Sequence, residues 1–255
     1  MTRMRIGLQM YTLRNEASTD FLGTLAKVAA LGYEGVEFAG YGGLESSALK
    51  QELDRLGLIC LGSHVSLERM LVATDEEIHY NKTLGNKNII IPWLPEERYA
   101  TADKLAETCQ ELAQIGEECA KHGVILCYHN HSFELERSFN GVKMLDIIFS
   151  TLPANLVQVE LDACWVHNAG IDPKSYIIKY AGRIPLVHLK DMQRIDGKGE
   201  PVELGNGEVD LLSVVQASRE AGTEWLIVEQ DRSQRPPLES VEISMNWIRK
   251  HKLIS

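Results

Sequence analysis

The sequence predicts a single-domain (β/α)8 TIM barrel over residues 1–255, and three observations carry that expectation. Short β-branched or apolar runs recur along the chain, amphipathic stretches of helical period separate them, and glycine repeatedly stands between a helical stretch and the next run. A doubly wound open sheet shares this alternation. No G-x-G-x-x-G follows the first run, however, where a dinucleotide-binding open sheet usually shows it. A chain of 255 residues with 44% hydrophobic residues is long enough for one large core and requires no second domain.

In order, the runs are Met4 to Gln9, Gly35 to Phe38, Leu58 to Ser63, Asn88 to Ile91, Val124 to Tyr128, Val157 to Leu161, Leu186 to Leu189 and Trp225 to Glu229. After the first comes Phe21 to Leu31, in which Leu22, Leu25, Ala29 and Leu31 mark one broad apolar face. Gly32 ends it. Gly57, Gly123 and Gly222 end later helical stretches in the same way, because glycine takes the left-handed backbone of a helix cap without a Cβ penalty. Gly40-Tyr41-Gly42-Gly43 is flexible but lacks the dinucleotide frame, and Arg232 to Pro237 reads as the loop after the last strand.

The net charge of −10 disfavours a nucleic-acid partner, since affinity for a phosphate backbone rests on clustered Lys and Arg. The five cysteines (60, 109, 119, 127 and 164) form no C-x-x-C pair. Their odd number argues against a disulfide framework and for a reducing cytoplasm. No stretch approaches ~18 consecutive apolar residues, and Met1-Thr2-Arg3-Met4-Arg5-Ile6-Gly7 turns to a short strand, so neither a membrane span nor a signal region is expected.

In such a barrel the chemistry sits at the C-terminal ends of the strands. That rim collects Gln9 and Tyr11, Glu37, His64, Trp93, His129 with His131 and Glu134, Asp162 with Trp165 and His167, His188 with Lys190 and Asp191, and Glu229 with Asp231. Glu37 alone has a bland reading as a solvated or paired carboxylate. For Asp162, His188 and Glu229 that reading is weaker, because three unlike ligands end three neighbouring strands. Carboxylates with one or two imidazoles and no thiolate suit one divalent ion, Mn2+, Mg2+ or Co2+, with Zn2+ also open. Cys164 would share a strand face with Asp162 and reads as a buried thiol rather than a ligand.

Several motifs then stand together: Gly7-Leu8-Gln9-Met10-Tyr11-Thr12-Leu13-Arg14, Gly35-Val36-Glu37-Phe38, Tyr128-His129-Asn130-His131-Ser132-Phe133-Glu134, Leu161-Asp162 with Trp165, Val187-His188-Leu189-Lys190-Asp191, Gly205-Asn206-Gly207-Glu208-Val209-Asp210 and Val228-Glu229. Through them, and over essentially its whole length, the chain resembles the xylose isomerase-like TIM-barrel superfamily of sugar phosphate isomerases and epimerases. That superfamily includes ketose 3-epimerases, inosose dehydratases and, more distantly, endonuclease IV. The resemblance implies one divalent ion held by a Glu, an Asp, a His and a second Glu from the fifth to eighth strands. Asp162, His188 and Glu229 match three of these. Where relatives often carry Glu on the fifth strand this chain has Tyr128-His129-Asn130-His131. Glu134 is favoured as fourth ligand because it keeps the charge and oxygen donor that a hard cation wants. His129 in direct replacement is the alternative.

The activity implied is a metal-dependent sugar isomerase or epimerase acting on a keto-sugar or related polyol through a metal-stabilised enediolate. Glu229, His129 and His131 are the expected proton-transfer groups. Lys190 is expected at a substrate hydroxyl or carboxylate, Gln9, Glu37 and His64 as substrate-binding polar groups, and Trp93 and Trp165 either against the sugar ring or as ordinary packing at loop bases. Alternatives are an inosose or keto-sugar dehydratase, a non-catalytic sugar-binding barrel, and a metal-dependent DNA-repair hydrolase. The acidic chain argues against the last, as does Trp165, which stands where an extra histidine would be expected. The expected partner is a small sugar or polyol, with neither nucleic acid nor membrane. A homo-oligomer stays open, as does a phosphorylated substrate, since Gly205-Asn206-Gly207 belongs equally to a tight turn.

Overall fold

Eight parallel strands close into a barrel in a computed structural model that describes residues 4–254. Met1, Thr2 and Arg3 of the N-terminal basic stretch, and Ser255, lie outside the described residues. The strands are β1 (Arg5–Gln9), β2 (Gly35–Phe38), β3 (Ile59–His64), β4 (Asn88–Ile91), β5 (Ile125–His129), β6 (Val157–Asp162), β7 (Leu186–Leu189) and β8 (Trp225–Val228). Each pairs with its sequence neighbours, and β8 pairs with β1 through Arg5↔Trp225 to Leu8↔Val228. The open sheet is thereby excluded.

Local chemistry explains the helices between the strands. Asp20 caps the helix Phe21–Ala30 by accepting from the Gly23 amide at 2.9 Å. Gly32, Gly57, Gly123 and Gly222 all have positive φ, between 69° and 89°, at the ends expected of them. Among the described residues no helix is long and apolar enough to cross a membrane.

Two apolar regions result. The larger fills the space between strands and helices. The smaller, formed by Leu61, Ile90, Cys127, Leu186, Trp225 and Ile227, plugs the barrel itself. Because alternate strand residues face the same way, this inner face continues upward from Cys127 to His129, from Leu186 to His188 and from Ile227 to Glu229. The barrel interior therefore changes from apolar to polar along its axis, towards the C-terminal ends of the strands.

The strands β3, β5 and β6 run one residue further than the apolar runs, taking in His64, His129 and Asp162. Register explains this, since His129 lies opposite Glu160 and Asp162 opposite His188. The rim side chains thus start from a hydrogen-bonded ladder rather than from loops. A helix, Ala163–Asn168, starts immediately after Asp162, so Cys164 does not share a strand face with it and is buried in the helix's first turn.

A hairpin absent from the sequence expectation, Asp191–Ile195 with Lys198–Val202, follows β7. Asp191 anchors it. Its carboxylate accepts from the amides of Gly205 and Gly207 at 2.9 and 3.0 Å and of Val209 and Met192 at 3.1 and 2.9 Å. A Cβ on Gly207 would stand 2.2 Å from the Met192 carbonyl oxygen, so only glycine fits. The Gly205-Asn206-Gly207 turn therefore wraps an internal carboxylate.

Candidate active site

Side chains from the ends of seven strands meet in two layers. In the lower one Gln9, Glu37 and Glu160 are fully enclosed. Gln9 donates through Nε2 to Glu37 Oε2 at 2.7 Å, and the same oxygen lies 2.8 Å from His188 Nε2 and 3.1 Å from His64 Nε2. Across the barrel, Glu160 Oε1 faces His129 Nδ1 at 2.8 Å, His64 Nε2 at 2.9 Å and His188 Nε2 at 3.1 Å. Burial pushes the Glu37 and Glu160 carboxyls up, but the neighbouring imidazoles outweigh it and hold both below the usual range. Burial likewise lowers His64, yet Glu37 and Glu160 carry it up to about 10, and they raise His188 well above its ordinary value.

In the upper layer His129, Asp162, His188 and Glu229 each offer one nitrogen or oxygen, all within 4.8 Å of one another. His188 Nδ1 is 3.0 Å from Glu229 Oε2, and His129 Nε2 is 3.9 Å from Asp162 Oδ2. Lys190 lies fully buried beside them, its ammonium 3.0 Å from Asp162, 2.9 Å from Glu229 and 2.7 Å from Asp231. Burial alone would lower the lysine, but these three carboxylates hold it well above its ordinary value. Burial raises Glu229, and Lys190 with His188 reverses this, leaving it well below the usual range. Burial lowers His129, reinforced by His188, so its imidazole is neutral.

A cavity of about 810 Å³ opens onto this cluster, lined by His64, His129, His131, Glu229, Trp93 and Trp165 among others. Trp93 is 51% exposed at its wall. His131 Nδ1 and the Trp165 indole Nε1 are buried there with no hydrogen-bond partner among the described residues. Burial, with the Lys190 charge, pushes His131 down to about 4, so the imidazole is neutral at pH 7. Tyr11, Arg14 and Arg232 also line it, and the Arg14 guanidinium stacks 4.3 Å from the Tyr11 ring centroid.

Four side chains sit otherwise than expected, and one is Lys190, expected at a substrate hydroxyl or carboxylate but fully buried among Asp162, Glu229 and Asp231 and absent from the cavity lining. Gln9 and Glu37 are both fully buried; the Gln9 amide and Glu37 Oε2 serve each other, His64, His188 and the Tyr11 amide, and neither residue lines the cavity, so neither is placed for a substrate. Glu134 does not join the upper cluster. Its oxygens accept from the Tyr128 hydroxyl at 2.9 Å and the His131 amide at 2.8 Å, because the short helix Phe133–Glu136 turns it back under the loop. Burial pushes its carboxyl up to about 8, which suits a structural acid. His129 takes the place reserved for it. Glu160 escaped the sequence reading, although it stands two residues before Asp162 and a period-two count puts both on one face.

Glu134→Gln is therefore expected to leave divalent-metal binding within about twofold of wild type while flattening the pH dependence of stability. A carboxyl raised in the folded state contributes stability that is complete below its unfolded value near 4.5 and is lost as pH rises towards about 8. Thermal melts from pH 4 to 8 with parallel metal titrations check both points. Loss of metal binding would restore Glu134 as a ligand.

The donor set fits a divalent cation. Two imidazoles and two carboxylates converge without a thiolate, and Asp162, Glu229 and Asp231 put three carboxylates around a single ammonium. A closed parallel barrel with such a cluster at its C-terminal rim defines a class of α/β-barrel proteins whose rim side chains could hold a metal ion. Within that class the chain belongs to the xylose isomerase-like TIM barrel family, whose profile matches residues 25–251.

Among curated relatives, an inosose dehydratase of Lactiplantibacillus plantarum is 25% identical over 176 residues, covering 61% of this chain and 57% of that protein. The rhizopine catabolism protein MocC of Rhizobium meliloti is 24% identical over 252 residues, covering 84% of this chain and 76% of that protein. Among solved structures, a sugar phosphate isomerase/epimerase from Parabacteroides distasonis superposes with a TM-score of 0.87 at 22% identity, covering 99% of this chain and 100% of that one. An IOLI protein with a bound zinc atom gives 0.80 at 17% identity over 99% and 100%. At these identities the structures speak for the fold.

Proposed function

We propose that the chain is a divalent-metal-dependent isomerase or epimerase of a keto-sugar or related polyol. The observation that carries this reading is the convergence of His129, Asp162, His188 and Glu229 on one point beside a cavity of about 810 Å³. A bound divalent ion would supply Lewis acidity, lowering the cost of negative charge on a substrate carbonyl oxygen. With His129 in place of a carboxylate, two nitrogen donors favour Mn2+, Co2+ or Zn2+ over Mg2+, which prefers oxygen ligands.

The chain's own groups suit proton transfer beside a carbonyl. Glu229 is held ionised by Lys190 and His188 and lines the cavity, so it accepts a proton. His131 lines the same cavity as a neutral imidazole with a free Nδ1, so it exchanges a proton with substrate without first losing one to water. Trp165 offers an unpartnered indole N–H to a substrate oxygen, and with Trp93 it offers an apolar face to the ring carbons. Return of the proton to carbon gives isomerisation or epimerisation.

One observation favours a second reading. The upper cluster contains a single glutamate, so a pair of glutamates cannot share the proton work; a carboxylate and an imidazole must. An imidazole that takes the α proton and then delivers it to a departing β-hydroxyl, which leaves as water, makes the same site a dehydratase, and one curated relative is named an inosose dehydratase. Incubation in D2O with Mn2+, Co2+ or Zn2+ and a panel of ketoses and inososes tests both. Deuterium next to the carbonyl of recovered sugar is the expected result for the first, and an unsaturated product for the second. If no sugar of the panel exchanges or eliminates with any of these metals, the enzymatic reading fails and a sugar-binding barrel replaces it.

A further inference from the structure

We infer that Glu160 and Glu37 are positioning residues that engage one ring nitrogen of His129 and of His188, and thereby turn the other nitrogen of each imidazole to the metal site. The inference rests on the metal-site reading above and assigns a role to the buried layer beneath it.

The argument starts from the imidazole. A neutral ring has one N–H and one lone pair, and only the lone pair coordinates a cation. His129 turns Nδ1 to Glu160 at 2.8 Å and Nε2 to Asp162 at 3.9 Å. His188 does the reverse, with Nε2 2.8 Å from Glu37 and Nδ1 3.0 Å from Glu229. An ionised carboxylate only accepts, so Glu160 demands an Nδ1–H on His129 and Glu37 demands an Nε2–H on His188. The other nitrogen of each ring then faces the Asp162 and Glu229 side, and on His188, which Glu37, Glu160 and Glu229 hold protonated, a bound cation would replace the Nδ1 proton. The two rings turn opposite nitrogens to that side, and the buried carboxylates hold the nitrogen that each ring keeps.

The two carboxylates of the lower layer are placed for that task and for no contact with substrate. Glu37 and Glu160 are fully buried and neither lines the cavity. Gln9 fixes Glu37 by a 2.7 Å hydrogen bond, and a register shift between Val36 and Glu37 brings Gly62 beside it. A Cβ there would lie 2.5 Å from Glu37 Oε1, so the glycine provides the carboxylate's seat. His64 spans the two carboxylates at 2.9 and 3.1 Å and holds them at a fixed separation.

A rival arrangement uses the same atoms. His64, His129, Glu160 and His188 also present one ligand atom each within 4.8 Å. That set takes the opposite nitrogens of His129 and His188, so a cation there would strip both lone pairs from the upper cluster. The two sites exclude each other, and variants separate them.

The test titrates Co2+ alone into the metal-free full chain and records histidine 15N spectra of the same protein. Glu160→Gln and Glu37→Gln, each a weaker acceptor with a competing NH2 donor, are expected to weaken Co2+ binding about 10–100-fold, the range for lost support behind a ligating histidine. Asp162→Asn is expected to weaken it further. In the metal-free wild type His129 should carry its proton on Nδ1, and Glu160→Gln should shift it to a mixture. Unchanged affinity and tautomer in both glutamine variants overturns the inference. So does loss of Co2+ in Glu160→Gln with retention in Asp162→Asn, which puts the cation in the lower layer. If the wild type binds no Co2+, the functional reading fails, but the His129 spectra still decide the positioning role: an Nδ1 proton lost in Glu160→Gln supports it, and an Nε2 proton in the wild type overturns it. Circular dichroism confirms the fold of each variant, and Glu37→Gln carries the comparison should Glu160→Gln fail to fold.

Discussion

His188→Ala is expected to release the divalent ion and lower kcat/KM on a responsive sugar by about a thousandfold or more. His188 contacts both layers: Nδ1 faces Glu229 at 3.0 Å, and Nε2 faces Glu37 at 2.8 Å and Glu160 at 3.1 Å. Losing the ring removes one donor from the upper cluster and leaves the buried carboxylates Glu37 and Glu160 each short of one imidazole. Lewis-acid stabilisation contributes several kcal/mol to a transition state, and about 4 kcal/mol corresponds to roughly a thousandfold in rate. Elemental analysis of the purified wild type beside Asp162→Ala, His188→Ala gives the first measurement. About one equivalent of metal in the wild type and none in the double variant is expected under the single-ion reading. Turnover unchanged in His188→Ala would sink the proposed mechanism.

The second large effect belongs to Lys190. Its ammonium is fully buried among Asp162, Glu229 and Asp231 and lies 5.0 Å from the Trp165 ring centroid. Lys190→Met keeps most of the volume and removes the charge, so three carboxylates face one another without it. Breaking a buried ion pair from one side costs about 3–5 kcal/mol. In a chain of this size that lowers Tm by roughly 6–20 °C in the metal-free protein. Added Mn2+ should recover much of the loss, since a divalent cation supplies the charge that the ammonium had supplied. A larger Mn2+-induced rise in Tm than in the wild type is therefore expected. Equal melting temperatures, with equal responses to Mn2+, would show that Lys190 does not neutralise the cluster.

The two variants probe different parts of one electrostatic arrangement. His188 carries chemistry through its two nitrogens, whereas Lys190 balances charge that would otherwise repel. In each layer cationic groups oppose carboxylates, His64 and His188 below and Lys190 above, and the upper carboxylates still outnumber the lysine. That imbalance is what makes the upper layer attractive to a further cation.

Much of this was legible in the sequence. The eight strands, the glycines that end helices and the rim positions of Asp162, His188, Lys190 and Glu229 follow from side-chain periodicity and backbone preference. Both act over a few residues. The β6 segment Val157–Asp162 shows how far the same reasoning reaches: a period of two from Asp162 arrives at Glu160, although nothing local says that Glu160 serves a histidine from another strand.

Only the tertiary structure shows which fourth side chain joins the cluster and what lies beneath it. Glu134 had the better charge for a hard cation, but the Tyr128 hydroxyl and the His131 amide hold it aside, and His129 occupies the place instead. Glu37 looked like a substrate contact from its rim position, yet its partner His188 comes from 151 residues further along the chain and closes over it. The bond between His64 and Glu160 spans 96 positions. Periodicity tells which face of its own strand a residue occupies. Which partner it meets across the barrel depends on strand register and closure, and these exist only once the chain has folded.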